Sequence, residues 1–318
     1  MKLVTFRKED NVRTGAYVND KVIDLNHAYV AMLKSQGVSR VEEVSKAFVP
    51  SNMIELLEGG DKSLEEASKA IDYALENEVS NPKIVFDRKD VKLEAPVLKP
   101  NKIICVGHNY REHILEMKRE LPKFPVVFAK FNNAIIGPED NIPHPEFTEN
   151  LDYEAEFTFV IGKTAKNVSK EDALDYVAGY TIVNDVTARD LQRRTIQWLQ
   201  GKTLDGSAPM GPWLVTKDEI PNPHDLDISL TVNGEERQRS NTSNLVFNVN
   251  HLVAFFSEIM TLEPGDVICT GTPGGVGFAR DPQVFLKDGD VVRIEIDKIG
   301  ALENTVKAEV NARKKEGV

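Results

Sequence analysis

Short apolar runs separated by glycine and proline dominate the chain after about residue 100. Runs of this length bounded by turn residues are typical of β-strands, which predicts a mainly β domain with few helices. Asn233-Gly234 lies between two such runs and predicts a hairpin turn. The strand-like runs are IICVG, VVFAK, IIGPED, AEFTFVIGK, GYTIVND, GPWLV, ISLTVNG, DVICTG and VVRIEID. Helices are predicted over residues 110–117, 170–177 and 250–260, the second with an N-cap signature at Ser169.

The N-terminal part follows a different pattern. Residues 1–30 hold three strand-like runs, with a turn at Asn19-Asp20, and predict a β-meander. Residues 27–80 carry apolar side chains at three-to-four spacing, which predicts helices with acidic outer faces. Residues 91–102 contain two prolines and no periodicity, so we interpret them as a linker. The predicted fold class is therefore α+β and mainly β, with a small N-terminal α+β domain, residues 1–92, and a larger domain, residues 93–318.

Composition narrows the functional classes. The 318 residues are 41% hydrophobic and 28% charged, as in an ordinary globular protein. A net charge of −11 without a basic patch argues against nucleic acid as a partner. No run reaches membrane-spanning length, and the N-terminus lacks the apolar core of a signal peptide, so we expect no membrane partner and a cytoplasmic location. Cys105 and Cys269 lie in apolar runs and are expected to be buried thiols in a reducing compartment.

The segment LDYEAEFTFVIGK, residues 151–163, contains the main candidate for chemistry. Glu154 and Glu156 are two apart on a predicted strand, so both side chains point from one face. Two adjacent carboxylates repel each other unless a cation lies between them. Asp185 follows the end of another predicted strand and adds a third carboxylate. This all-oxygen set favours Mg²⁺ or Mn²⁺ over zinc, whereas the alternative is a solvated outer face of the strand.

A second candidate lies in VGHNYREHILEM, residues 106–117. His113 and Glu116 are three apart and would share one face of the predicted helix. A carboxylate that orients an imidazole favours a general base, although a surface ion pair is the commoner explanation of such spacing. His108 and Glu112 would point elsewhere, and we assign them no role.

Several single residues near these segments are weaker candidates. Lys130 closes an apolar strand, and Lys202 lies in a glycine-rich loop. Arg189 and Gln192 follow Asp185 on a predicted helix, and arginine suits carboxylate recognition. Each of the four could contact an anionic substrate or simply be solvated. The run TGTPGGVG, residues 270–277, predicts either a backbone nest for an anion or a tight turn without a ligand.

Five ordered motifs, VGHNYREHILEM, LDYEAEFTFVIGK, GYTIVNDVTARDLQ, GKTLDGSAPMGP and TGTPGGVG, resemble the fumarylacetoacetate hydrolase family over about residues 95–300. The resemblance implies a mixed β-roll or sandwich-like catalytic domain, usually a homodimer, with Mg²⁺ or Mn²⁺ as cofactor. Phe131-Asn132-Asn133 depart from the small residues or proline that relatives often carry after the strand lysine. The N-terminal extension is typical of the longer bacterial-type members.

The resemblance also implies residue roles. The metal would be held by Glu154, Glu156 and Asp185. The water-activating pair would be His113 and Glu116, on a segment that often closes as a lid. Lys202 matches the active-site lysine. The 2-oxo acid end of a substrate would be contacted by Arg189, Gln192 and Thr272, with Lys130 nearby.

These roles imply chemistry on a small 2-oxo or diketo acid through a pyruvate-type enolate. The expected reaction is hydrolysis of a carbon–carbon bond in an acylpyruvate, because the His113–Glu116 pair is complete. Decarboxylation of oxaloacetate, or tautomerisation or isomerisation of oxaloacetate or a dienoate acid, would use the same residues and stays open. A non-enzymatic sensor of oxo acids is the remaining alternative.

Overall fold

The computed structural model describes residues 1–77, 81–116 and 120–309, except for the side chains of His113 and Glu116. In these ranges the strands are β1 (Lys2–Lys8), β2 (Asn11–Val18), β3 (Lys21–Asp24), β4 (Val85–Asp87), β5 (Lys92–Glu94), β6 (Ile103–Gly107), β7 (Val126–Lys130), β8 (Ile135–Ile136), β9 (Ile142–His144), β10 (Leu151–Asp152), β11 (Ala155–Ile161), β12 (Val177–Asn184), β13 (Thr187–Ala188), β14 (Ala208–Thr216), β15 (Asp227–Val232), β16 (Glu235–Asn241), β17 (Val267–Cys269), β18 (Val291–Ile296) and β19 (Gly300–Ala308). The α-helices there are α1 (Leu25–Ser35), α2 (Val41–Phe48), α3 (Met53–Glu58), α4 (Gly60–Glu76), α5 (Arg111–Glu116), α6 (Arg189–Gln192), α7 (Leu199–Lys202) and α8 (Val249–Ile259).

Two sheets form the body of the protein. A 12-stranded sheet runs in the order β4-β3-β2-β1-β14-β12-β11-β17-β6-β7, with β5 paired to β1 and β8 paired to β14. A five-stranded sheet runs in the order β16-β15-β18-β19-β9, and β10 pairs with β13. One apolar core includes Phe157 and Ile182 of the large sheet together with Leu230 and Ile294 of the small sheet. This sandwich-like arrangement confirms the predicted α+β, mainly β fold class.

Strand β11 lies at the centre of the large sheet, between β12 and β17, and all its residues are buried. Its side chains alternate, so Phe157 and Phe159 enter the core facing the small sheet, while Val160 enters a second core on the opposite face. The second core is completed by the N-terminal helices, through residues such as Leu25 and Leu56. Both faces of β11 are therefore covered, and a charged side chain on either face is removed from solvent.

The N-terminal part shares the large sheet with the rest of the chain. The predicted meander corresponds to β1, β2 and β3, with Asn19 and Asp20 in left-handed conformations at the turn. Strand β1 also pairs with β14, with Lys2 opposite Val215. The four helices α1 to α4 agree with the helical pattern predicted for residues 27–80, of which 78–80 lie outside the described residues. A domain boundary near residue 92 stays a prediction.

One local prediction is wrong. Residues 170–177 do not form an α-helix, because only a 3₁₀ turn, Ala173–Tyr176, precedes β12. The cap signature does exist, since the Ser169 hydroxyl accepts the Asp172 N–H at 3.2 Å, but pairing of the following residues with β11 prevails over local propensity. The predicted linker, residues 91–102, contains β5, which pairs with β1, and its role as a linker stays a prediction.

The structure confirms the other two predicted helices and the predicted burial of the two cysteine thiols. Helix α8 begins after Asn248, whose side chain accepts the His251 N–H at 3.0 Å. Helix α5 covers residues 111–116, and Met117 lies outside the described residues. Cys105 and Cys269 are buried opposite each other on β6 and β17. In the described ranges, no helix has both the length and the apolar character needed to cross a membrane.

Candidate metal centre and active site

The three predicted metal ligands converge at one end of the β11–β12 pair. These strands are antiparallel, so the beginning of β11 lies beside the end of β12, with Ala155 opposite Asn184. The Glu154 N–H donates to the Asn184 side chain at 3.0 Å, and the Asp185 N–H donates to the Glu154 carbonyl at 2.9 Å. One carboxylate oxygen from each of Glu154, Glu156 and Asp185 lies within 4.8 Å of the others. The strand pairing therefore fixes the acidic cluster.

The two glutamates are not on a solvated face. Glu154 is 6% exposed and Glu156 is 1% exposed, so the alternative of an outer strand face is wrong. Buried carboxylates require compensating charge or hydrogen bonds, because transfer of an unpaired charge from water is costly.

Three buried cations surround the cluster. The Lys202 ammonium lies 2.8 Å from Glu154 Oε2 and 2.6 Å from Asp185 Oδ2. Arg189 Nη1 is 2.7 Å from Glu154 Oε1, and the Lys130 ammonium is 2.9 Å from Asp185 Oδ1. Burial alone would lower the pKa of Lys202, but attraction to Asp185 and Glu154 outweighs burial and raises its pKa. These cations supply part of the positive charge that the carboxylates need.

Glu156 is the least compensated member of the cluster. Its Oε2 accepts the Gly271 N–H at 2.8 Å, and it forms no ion pair with any lysine, arginine or histidine in the described ranges. Burial, followed by repulsion from Asp185, Cys105 and Glu154, raises the pKa of Glu156 well above its ordinary value. The cluster thus holds more negative charge than its protein cations balance.

The donor set fits a hard divalent cation. Three carboxylates supply oxygen ligands of the kind that Mg²⁺ and Mn²⁺ prefer. Asp185 Oδ1 is buried and accepts no hydrogen bond from the described residues, although Lys130 is close to it. A divalent ion at the cluster would coordinate these oxygens and offset the repulsion at Glu156.

Asp152 belongs to the site and was missed in the sequence analysis. Its Oδ2 accepts Arg189 Nε at 2.8 Å, and it also accepts the Gly277 and Phe278 N–H groups at 2.8 and 3.0 Å. The sequence did contain a signal for Asp152, because three acidic residues two apart, at positions 152, 154 and 156, share one face of a strand-like run. Asp152 holds the Arg189 guanidinium against Glu154.

The loop at residues 270–277 does bind anions through its backbone, but these anions are protein carboxylates. Gly271 donates to Glu156 and Gly277 donates to Asp152. Gly271 has φ +96°, and a Cβ there would lie 2.7 Å from the Val106 carbonyl oxygen, so glycine is needed to bring this N–H to the carboxylate. The loop therefore stabilises the buried negative charges.

A cavity of about 110 Å³ opens beside the cluster. Its polar wall contains six of the predicted residues, namely Glu154, Glu156, Arg189, Gln192, Lys202 and Thr272. Arg189 Nη1 donates to the Gln192 side chain at 3.2 Å, while Arg189 Nη2 is buried without a hydrogen-bond partner in the described ranges. Thr272 Oγ1 accepts Gln238 Nε2 at 2.8 Å. Arg189 therefore has a donor available for an anionic ligand.

Lys130 does not line this cavity. Its ammonium donates to the Ser207 carbonyl at 2.8 Å, to the Val186 carbonyl at 3.2 Å and to the Lys202 carbonyl, in addition to pairing with Asp185. Contact between Lys130 and a substrate stays a prediction, and these contacts favour a supporting position beneath Asp185.

The cavity lining also includes an aromatic wall, which the sequence analysis did not find. It contains His108, Phe128, Trp198 and Phe278. The His108 and Trp198 ring centroids are 5.3 Å apart and edge-on, and Phe128 is 5.4 Å from Trp198. The sequence analysis assigned His108 no role, but this residue lines the cavity directly after β6, with a left-handed φ of 52°. Its position at a strand end, like that of Asp185, was the available signal.

The predicted general-base pair lies in α5, whose backbone the structure describes over Arg111–Glu116. The side chains of His113 and Glu116 lie outside the described part of the chain. Their role as a water-activating pair stays a prediction.

The two-sheet fold and the buried cluster of carboxylates and cations are typical of an enzyme whose metal site is built from carboxylates. The chain belongs to the fumarylacetoacetate hydrolase family, because the family model described as "Fumarylacetoacetate (FAA) hydrolase C-terminal" matches residues 102–307.

Several relatives match almost the whole chain and carry more specific names than the family. The chain is 46% identical to "Oxaloacetate tautomerase fahd2, mitochondrial" of Xenopus laevis over 312 residues, which are 96% of this chain and 90% of that protein. It is 41% identical to "Oxaloacetate tautomerase YisK" of Bacillus subtilis (strain 168) over 311 residues, covering 96% of this chain and 100% of YisK. A solved structure of maleylpyruvate hydrolase from Sphingobium sp. SYK-6, in complex with manganese(II) and pyruvate, is 30% identical with a TM-score of 0.73, covering 98% of this chain and 100% of that one.

Proposed function

We propose that this protein is an oxaloacetate tautomerase, which interconverts the keto and enol forms of oxaloacetate with a bound divalent cation. The similarity to the two tautomerases extends over 96% of the chain. The observation that carries the proposal is the position of Lys202 and Arg189 between the acidic cluster and a cavity of about 110 Å³, a size suited to a small acid. The sequence analysis favoured hydrolysis, but the relatives at 46% and 41% identity are named as oxaloacetate tautomerases.

In this proposal the ligands of the cation are Glu154, Glu156 and Asp185. When bound, Mg²⁺ or Mn²⁺ supplies Lewis acidity toward the 2-oxo acid end of the substrate.

The substrate carboxylate next to the keto group is assigned to Arg189. Asp152 contacts Nε and Glu154 contacts Nη1, which leaves Nη2 without a hydrogen-bond partner in the described ranges. Arginine forms a planar fork that suits a carboxylate, and Gln192 and Thr272 add polar groups on the same wall.

Lys202 is assigned to the oxygen on C2, which becomes negative when the proton on C3 is removed. An ammonium placed where charge develops stabilises the enolate more than the ketone, and loss of one such donor typically costs about 3–4 kcal/mol. The proton at C3 needs a carrier, and His113 oriented by Glu116 stays the predicted group for this step.

Hydrolysis of an acylpyruvate is the second candidate, since the solved relative at 30% identity is a maleylpyruvate hydrolase. It would need an activated water in addition to the same enolate stabilisation. Decarboxylation of oxaloacetate would need no attacking water and no removal of a proton from C3, and the enolate left by the loss of CO2 would take up a proton at C3 to give pyruvate. His113→Ala should therefore remove tautomerisation and hydrolysis but spare decarboxylation.

The test follows the loss of enol-oxaloacetate absorbance with the purified full chain in Mg²⁺, in Mn²⁺ and in EDTA. We expect acceleration with either metal, none in EDTA, and a decrease of roughly 10²–10³-fold in Lys202→Met. Lys99→Met, an exposed lysine away from the cavity, is the matched control, and thermal melting checks that both variants fold.

Three results would contradict the proposal. Full acceleration in EDTA would exclude the metal. Release of pyruvate from acylpyruvates without keto–enol exchange would assign the protein to the hydrolases. Binding of oxo acids without any turnover would favour a sensor.

A further inference from the structure

One arginine at the cavity is not used by the acidic cluster. Arg193 lines the cavity, yet its guanidinium pairs with no carboxylate among the residues that the structure describes. Its guanidinium carbon lies 4.7 Å from the centroid of the Phe278 ring. Arg189 and Lys202, by contrast, are buried and paired with Glu154. The side chain of Arg193 is exposed, so it is available to a ligand at the cavity mouth.

The backbone places Arg193 one helical turn beyond Arg189. The Arg193 N–H donates to the Arg189 carbonyl at 3.2 Å, at the C-terminal end of α6. Residues four apart lie on the same face of a helical turn. The two arginines therefore follow each other from the buried cluster toward the mouth. A short ligand whose inner end is held at Arg189 extends toward Arg193.

The Phe278 ring restricts the orientation of the Arg193 guanidinium before a ligand binds. An arginine stacked on an aromatic face loses less freedom when it binds, and its planar fork donates two parallel hydrogen bonds to a carboxylate. The backbone of Phe278 is held at the site, because its N–H donates to Asp152 at 3.0 Å.

The charges agree with a dianionic ligand. The ionised carboxylates of Asp152, Glu154, Glu156 and Asp185 exceed the buried cations Lys130, Arg189 and Lys202 by one negative charge. A divalent ion at the cluster would leave the site with one positive charge, which matches a monocarboxylate. Arg193 adds the second positive charge, which matches a dicarboxylate.

We propose that Arg193 binds the distal carboxylate of a dicarboxylic 2-oxo acid and thereby selects diacids over monoacids at this site. The inference rests on the proposed function and names the residue that would distinguish oxaloacetate from an acid without the second carboxylate. It differs from the role of Arg189, which is directed to the carboxylate beside the keto group.

The test compares oxaloacetate with its C4 monomethyl ester and with 2-oxobutanoate, which carries a methyl group in place of the second carboxylate. Dissociation constants are measured by calorimetry on the Mg²⁺-loaded full chain, with each ligand at its tautomeric equilibrium. KM is measured in parallel. The variants are Arg193→Gln, Arg193→Lys and the control Arg194→Gln, an exposed neighbour outside the cavity lining.

We expect Arg193→Gln to weaken oxaloacetate binding about tenfold, as for a lost charge-assisted hydrogen bond at a partly exposed site. Binding of the ester and of 2-oxobutanoate should stay unchanged. Arg193→Lys should restore part of the preference, and Arg194→Gln should behave like the wild type. A raised KM for oxaloacetate with little change in kcat would support binding rather than catalysis.

Equal weakening of all three ligands would overturn the proposal, because it would show that Arg193 only holds Phe278 in place. A wild-type protein that binds the diacid and the ester equally would overturn it as well. Binding at tautomeric equilibrium does not require that the protein accelerates the exchange. Selection of the diacid without tautomerisation would therefore refute only the proposed function, and tautomerisation without selection would refute only this inference.

Discussion

Glu156→Gln should stabilise the metal-free protein and destabilise the metal-loaded one. Glu156 is 1% exposed, has no cation partner in the described ranges, and lies within 4.8 Å of two other carboxylates through one of its oxygens. Glutamine has almost the same shape and keeps an acceptor for the Gly271 N–H. The substitution therefore removes a poorly compensated charge while it leaves the packing intact.

The magnitude follows from the charges. Two unit charges at this separation repel by about 3 kcal/mol at an effective dielectric constant of 20, and the nearby cations offset roughly half of that. A net gain of about 1–2 kcal/mol in a chain of 318 residues raises the melting temperature by about 2 °C. Metal at a hundredfold excess over its dissociation constant adds about 2.7 kcal/mol, or roughly 4 °C, to the wild type.

Differential scanning calorimetry in EDTA and in Mg²⁺ provides the assay. We expect the variant to melt above the wild type in EDTA and below it in Mg²⁺, because the variant should lose most of the metal-induced shift. Glu58→Gln, at an exposed residue of α3, is the control and should leave the melting temperature unchanged both in EDTA and in Mg²⁺. A variant that melts well below the wild type in EDTA and keeps the full metal shift would refute the assignment of Glu156 as an uncompensated ligand.

Two further predictions concern other parts of the fold. Burial alone would raise the pKa of Asp24, but hydrogen bonds from His27 and Arg13 outweigh burial and lower its pKa. The carboxylate therefore stabilises the protein above about pH 4, and this contribution is lost as the pH falls further. Asp24→Asn should lower the melting temperature by about 3 °C at pH 7, and the difference from the wild type should shrink as the pH falls through the lowered pKa of Asp24. A difference independent of pH would exclude the charge as its cause. A Cβ at Gly107 would lie 2.4 Å from the Trp198 ring, so Gly107→Ala should displace the indole, change tryptophan fluorescence and raise KM. Unchanged fluorescence and KM would show that Trp198 does not shape the cavity.

The acidic cluster could be predicted because it depends on local rules. The two-residue period of a strand places Glu154 and Glu156 on one face, and a strand end marks Asp185 as a candidate. The position of Asp185 beside the glutamates comes from the pairing of β11 with β12. Asp152 follows from the same period and could have been included. The aromatic wall could not be predicted, because Trp198 reaches His108 and Phe128 only through tertiary packing.

The errors in secondary structure have a similar origin. Residues 170–177 carry a genuine cap at Ser169, but only a 3₁₀ turn forms before Val177 pairs with Ile161 of β11. The burial of Lys130 is also a tertiary property, since its acceptors come from residues 185–207. Sequence patterns report local geometry well and do not report which segments meet in space.

The pairing of β1 with β14 affects the order in which this protein can be made. Lys2 and Val215 are neighbours in the sheet, so this end of β1 has no partner until synthesis has reached β14. Strand β5 is made earlier and pairs with Thr5, Phe6 and Arg7, so until then the free part of the β1 edge is at Lys2 and Leu3, where it is a template for pairing with another nascent chain. Removal of residues 1–8 would transfer the same exposed edge to β14, so this single strand pair constrains both the timing of translation and any shortening of the N-terminus.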